Sequence, residues 1–240
     1  MLADLTCDYT SSDGMTREMG INALKRQVNR AHALGAKVLG GPFQLPWNWR
    51  LNTSTTADFF RIVGERLKRS EESIRTVAEH AASAGITLFV EYLTRWEIAG
   101  INTISQALTF VRGINHPSVG ILADSAHEIL DGEGPGVFAD SVKEAMEDQI
   151  PLHVHLSAPH RRGTSTSWLP WQLFLQPFVK NGYAGPYVVE IFDAKPPFFE
   201  GIKMTTPAFA LPMEAAKSAL RNVKNGLLAA RRGGIAPDTH

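Results

Sequence analysis

Five times along this chain an amphipathic helix runs into a glycine or a turn and then into a short apolar strand. INALKRQVNRAHALG places Ile21, Leu24, Val28 and Ala31 on one helical face, stops at Gly35 and leads into AKVLGGP. EESIRTVAEHAASAG does the same with Ile74, Val77, Ala78 and Ala81, stops at Gly85 and leads into ITLFVEY. TISQALTFVRGINHPS precedes VGILAD, SVKEAMEDQ precedes IPLHVHLS, and WQLFLQPFVKNGYAG precedes PYVVEIF. These strands are apolar throughout rather than alternating, as parallel strands covered on both faces are. Repeated βα units of this kind fold as a doubly wound sheet or as a (βα)8 barrel. Six strands are expected, near 2–7, 37–41, 86–92, 118–124, 151–157 and 186–192, whereas a closed barrel needs eight. HEILDGEGPGVFADS and NWRLNTSTTADFF read as loops, and PMEAAKSALRNVKNGLLAARRGG as a closing helix. No linker or low-complexity stretch interrupts the pattern, so 1–240 is expected to form a single domain.

Four of the strands finish on a residue that can bind a metal: TLFVE on Glu91, GILAD on Asp124, LHVH on His155 and YVVE on Glu190. The successive spacings are 33, 31 and 35 residues, about one βα unit each. The four therefore hold equivalent positions on consecutive strands, and in a barrel the C-terminal strand ends converge on one mouth. Taken singly, an acid at a strand end is most simply a helix N-cap or an ion-pair partner. As a set, three carboxylates and one imidazole suit one divalent cation, Mn²⁺ or Co²⁺ first and Mg²⁺ or Zn²⁺ next. Without a cation the three like charges repel and their burial is costly.

Other polar residues follow these ligands into the βα loops, where substrate contacts are expected. They are Glu97, six residues after Glu91, His127, three after Asp124, and Arg161, six after His155. His153 shares a strand face with His155 by two-residue alternation and reads as a packed inner histidine. His160 reads as loop surface, and Trp47 and Trp49 either wall a pocket or pack in the interior. No phosphate-loop signature and no nucleophile elbow is present.

Bulk properties narrow the class further. Lys plus Arg and Asp plus Glu each number 24, so the net charge is zero, which argues against nucleic acid or an anionic membrane as the partner. Cys7 is the single cysteine, so no intrachain disulfide forms, and a reducing compartment fits. No apolar run reaches transmembrane length, and the first residues lack the basic start and apolar core of a signal peptide. A cytoplasmic protein is expected.

Together, CDYTSSDGMTREMGINALKRQVNRAHALGAKVLGGPF, FVEYLTRWE, INTISQAL, NHPSVGILADSAHE, HVHLSAPHRRG and NGYAGPYVVEIF resemble the sugar isomerase/epimerase family. Within it, the similarity points to the D-tagatose 3-epimerase and D-psicose (allulose) 3-epimerase branch. The resemblance implies a xylose isomerase-like TIM barrel of α/β class, here lacking the first two βα units, which accounts for about six strands. It implies one Mn²⁺ or Co²⁺ on Glu91, Asp124, His155 and Glu190, with Glu91 and Glu190 doubling as the acid/base pair. It places substrate binding on Glu97, His127 and Arg161. The implied activity is a metal-dependent ketose 3-epimerase or sugar isomerase, abstracting a proton beside a carbonyl through an enediolate held by the metal.

Hydroxypyruvate isomerase and inosose dehydratase chemistry share this layout. A non-catalytic sugar- or metal-binding remnant is a further alternative, because an open barrel exposes sheet edges and apolar helix faces. The same exposure predicts a homo-oligomer. A nuclease of the AP-endonuclease type shares the fold but calls for more histidines than the eight present and for a basic face. The chain departs from the family in LSAPHR, which lacks the acidic residue often found between the histidine and the arginine.

Overall fold

Asp13 starts the first helix: its carboxylate accepts the Thr16 N–H at 2.8 Å, and α1 (Gly14–Ala33) runs on until Gly35 takes a left-handed turn at φ 74°. In the computed structural model, residues 7–47, 49–161, 171–192 and 212–233 are described. After α1 come β1 (Val38–Gly41), α2 (Thr56–Ser83), β2 (Thr87–Glu91), α3 (Ile104–Ile114), β3 (Val119–Asp124), α4 (Ser125–Asp131) and α5 (Pro135–Glu147). Then follow β4 (Leu152–Leu156), α6 (Trp171–Lys180), β5 (Tyr187–Val189) and α7 (Pro212–Arg232). Five of the six expected strands form; the sixth, near 2–7, lies almost wholly outside the described residues.

The strands follow the order β1-β2-β3-β4-β5, and β1 with β2, β2 with β3, and β4 with β5 pair in parallel. Every residue of β3 is buried, which explains its unbroken apolar run up to Asp124. Gly120 in β3 is required by sterics, since a Cβ there would collide with the Pro151 carbonyl oxygen. That carbonyl accepts the Ile121 N–H at 2.9 Å.

Two expected loops contain helix. The stretch 48–60 turns helical at Thr56, because Thr55 Oγ1 accepts the Asp58 N–H at 3.1 Å and donates to Asp58 Oδ2 at 2.8 Å. This reciprocal cap lengthens α2 well upstream of its apolar stripe. The stretch 127–141 carries most of α4 and the start of α5, divided at Gly132–Gly134, with Pro135 at the first helical position.

The chain divides into two compact units, Met1–Ala123 with Glu144–His153, and Asp124–Lys143 with Val154–His240. In the first, α1 packs on α2 and α2 on α3, over a core that includes Leu24, Val28, Ile74, Val77, Leu88 and Val90. Its buried hydroxyls meet backbone: Ser70 Oγ donates to the Phe43 carbonyl at 3.1 Å and Ser73 Oγ to the Tyr9 carbonyl at 2.7 Å. Arg66 pairs with both oxygens of Asp8 at 2.9 and 3.1 Å and stacks 4.7 Å over the Trp49 ring. In the second unit α6 packs on α7. Phe138 stacks on Phe174 at 5.0 Å and meets the edge of Phe178 at 5.7 Å. Among the described residues no helix is long and apolar enough to cross a membrane.

Candidate metal centre

Parallel strands put their C-terminal ends on one edge of the sheet, and the four expected ligands all lie there. Glu91 and Asp124 close β2 and β3, His155 is the penultimate residue of β4, and Glu190 follows β5. Within the second unit, Asp124, His155 and Glu190 each offer one ligand atom, and these atoms lie within 4.8 Å of one another.

Asp124 is fully buried and does two jobs. It is the N-cap of α4, with Oδ1 accepting the Ala126 N–H at 2.6 Å. It also accepts from Ser157 Oγ at 2.8 Å and, on Oδ2, from Arg161 Nη1 at 3.1 Å. Burial pushes this carboxyl up, but the Arg161 charge and the Ser157 and Ala126 donors outweigh it and hold Asp124 down at about 2. It is therefore a carboxylate at neutral pH. A carboxylate has about four lone-pair sites, so these three donors leave room for a cation. The mixed oxygen and nitrogen donors of the set fit a divalent ion.

Glu190 accepts from Arg161 Nη1 on Oε2 at 2.7 Å, and its Oε1 lies 3.8 Å from His155 Nδ1. Arg161 was expected in a substrate-contact loop, and it is buried. Its backbone adopts the left-handed region at φ 56°, its N–H donates to the Ala158 carbonyl at 2.7 Å, and its carbonyl accepts the Phe192 N–H at 3.0 Å. The guanidinium stacks 4.7 Å over the Phe192 ring, and Nη2 donates to His127 Nε2 at 3.0 Å. An arginine has no acceptor, so His127 Nε2 is the accepting nitrogen here. His127 is buried in α4.

Glu97 lies in the loop between β2 and α3. It accepts from Thr94 Oγ1 at 2.8 Å and lines a cavity of about 480 Å³ together with Trp49, Arg50, Phe60, Arg95 and Trp96. Trp49 thus takes the pocket-lining alternative and also packs, with Trp47, against Leu45, Leu93 and Ile98. His153 packs against Phe89 with ring centroids 5.2 Å apart and the rings tilted by 42°, and burial lowers its pKa, as a packed inner histidine requires. His160 is exposed, and Arg162 is outside the described residues.

Two serines escaped sequence reasoning. Ser125 Oγ donates to the Ser157 carbonyl at 2.7 Å and accepts the Ser157 N–H at 2.9 Å, which fixes Ser157 for its bond to Asp124. The available signal was weak: each serine falls one or two residues past a ligand, in ADSAH and HLSAP.

A family model described as "Xylose isomerase-like TIM barrel" matches residues 2–216. A ketose 3-epimerase of Arthrobacter globiformis is 28% identical over 193 residues, covering 80% of this chain; the chain spans only 62% of that relative's length. Among solved structures, a protein of Anabaena variabilis, provisionally described as a sugar phosphate isomerase/epimerase, superposes with a TM-score of 0.85 at 32% identity. That match covers 94% of this chain and 73% of the other. A D-allulose 3-epimerase of Methylomonas, solved with D-allulose, shares the fold at a TM-score of 0.77 and 23% identity, covering 91% of this chain and 73% of its own.

Proposed function

Because the chain belongs to the xylose isomerase-like TIM barrel family, we propose that it is a metal-dependent ketose 3-epimerase or sugar isomerase. It holds one divalent cation, Mn²⁺ in the first place, on Glu91, Asp124, His155 and Glu190. The observation that carries this reading is the gathering of Asp124, His155 and Glu190 at the ends of β3, β4 and β5, with ligand atoms within 4.8 Å. The cation, when bound, supplies Lewis acidity that makes the C–H beside a sugar carbonyl easier to deprotonate.

The chain's own residues do the rest. One of Glu91 and Glu190 takes the proton at C3 and the other returns it from the opposite face of the sugar. Glu91 closes β2 and Glu190 follows β5, so the two carboxylates come to the sugar from different strands. Asp124 stays ionised and takes no proton, since its carboxyl is held at about 2. His127 and Arg161 bind sugar oxygens and fix the orientation of the reacting carbon. Glu97 contacts the sugar from its own loop; the cavity it lines has the size of a small-ligand site.

Relatives named for ketose 3-epimerisation and for D-allulose favour a ketose as substrate. The reading includes a cytoplasmic setting for the single Cys7 and a homo-oligomer; the exposed Phe60 and Trp96 side chains favour association.

The test is solvent proton exchange at C3 of D-fructose or D-allulose, followed by NMR in D₂O with Mn²⁺. Exchange together with formation of the epimer is expected. Mn²⁺ binding without exchange at C3 points instead to the binding remnant.

A further inference from the structure

Arg161 touches two of the four candidate ligands. Nη1 lies 3.1 Å from Asp124 Oδ2 and 2.7 Å from Glu190 Oε2, and the same nitrogen donates to Ser157 Oγ. The side chain is held at both ends. Phe192 lies under the guanidinium at 4.7 Å, and the backbone is tied through the Ala158 and Phe192 hydrogen bonds. Its side chain is only 11% exposed, so water does little to screen it. This is a built-in positive charge rather than a surface arginine folded over an acidic patch.

The charges in the cluster then have a simple consequence. Glu91, Asp124 and Glu190 contribute three negative charges, and the guanidinium, which does not deprotonate in proteins, contributes one positive. The cluster is left with two negative charges, matching a divalent ion. Without the arginine, three negative charges would favour a trivalent ion and would hold a divalent one more tightly.

We propose that Arg161 sets both the strength and the valence preference of the metal site, acting as a counter-charge that shares Asp124 and Glu190 with the bound cation. The proposal rests on the metal-site reading above but not on the epimerase chemistry. A weaker site exchanges its metal readily, and a charge-matched one discriminates against trivalent ions that would bind these carboxylates by charge alone.

The experiment is calorimetric titration of the full chain with Mn²⁺ and separately with Tb³⁺, in wild type, Arg161→Met, Arg161→Gln and Arg161→Lys. Arg161→Gln keeps hydrogen-bond donors for Asp124 and Ser157 while dropping the charge, so it carries the comparison if Arg161→Met does not fold. Both uncharged variants are expected to bind Mn²⁺ about tenfold or more tighter, since removing a unit charge within a few ångströms of the ion is a large electrostatic change. Tb³⁺ should gain more than Mn²⁺, because the interaction scales with the ion's charge. Arg161→Lys should stay near wild type. Unchanged or weaker Mn²⁺ binding in the uncharged variants, or equal gains for the two ions, overturns the proposal and leaves Arg161 a residue that merely positions the carboxylates. Failure of the wild type itself to bind Mn²⁺ is a different result, and it removes the metal site altogether.

Discussion

Both units of this chain bury polar side chains, and they use them differently. In the first, Ser70 and Ser73 each answer one backbone carbonyl left over by a turn, at Phe43 and Tyr9. Those bonds repair local gaps in backbone pairing and ask nothing of one another. In the second, Asp124, Ser125, Ser157, His127, Arg161 and Glu190 bond mainly among themselves. Two of those are carboxylates and one is a guanidinium, so each member is tolerable in the interior only while the others stay. A fold does not need such a network to stand. Its presence marks where the interior serves chemistry rather than packing.

Substitutions can break that contrast, starting with the largest effect. Glu190→Gln should lower C3 proton exchange about 10²- to 10⁴-fold, the range for loss of a positioned acid or base; exchange at the wild-type rate would return Glu190 to a purely structural role. Next, Asp124→Ala should cost about 3–5 kcal/mol in urea unfolding, because it takes from the buried Arg161 charge one of its two carboxylate partners and from α4 its cap. Ser73→Ala in the first unit should cost less, about 1–3 kcal/mol for one orphaned carbonyl. Equal losses for these two would mean that the second network is no more interdependent than the isolated bonds of the first.

The smallest effect concerns acid. Burial pushes Asp8 up, but its bonds to Arg66 and Thr10 win and its pKa is lowered. A lowered carboxyl contributes stability above the ordinary carboxylate range, and that contribution disappears as pH falls through the folded-state value. Melting temperatures followed downward from about pH 5 should therefore decline more steeply in wild type than in Asp8→Asn, a difference worth no more than about 1 kcal/mol for a partly exposed pair. Parallel curves would remove the ion pair from the stability of the first unit.

The strands and their terminal ligands were legible because a strand covered on both faces must be apolar, so a single Glu, Asp or His at its end stands out against Val, Leu and Ile. Helix stripes such as Ile74, Val77, Ala78 and Ala81 were legible for the same reason. The upstream half of α2 was not, since a Thr-rich lead-in that caps a helix has the composition of a loop; only the side-chain bonds of Thr55 to Asp58 distinguish them. Arg161 was legible as a residue of interest but not as a buried one. A long cation after Ala-Pro-His has no local pattern that reveals its depth; that depends on Phe192 and Asp124, which lie 31 and 37 residues away. The roles of Ser125 and Ser157 are likewise set by contacts across 32 residues of chain. Glu97 has the same six-residue spacing from its ligand as Arg161, and its neighbours Trp49, Arg95 and Trp96 could not be read from that spacing.

Asp124 is at once the last residue of β3 and the cap of α4. This dual duty bears on how such a chain can change over evolutionary time. Asn and Ser cap helices about as well as Asp. A lineage released from the need for a metal could therefore replace Asp124 with either one and keep the first turn of α4, while a replacement by Ala or Val would cost it the ligand and the turn together. Descendants that have given up the chemistry should carry a small polar residue at this point, and that residue would be a readable scar of the lost activity.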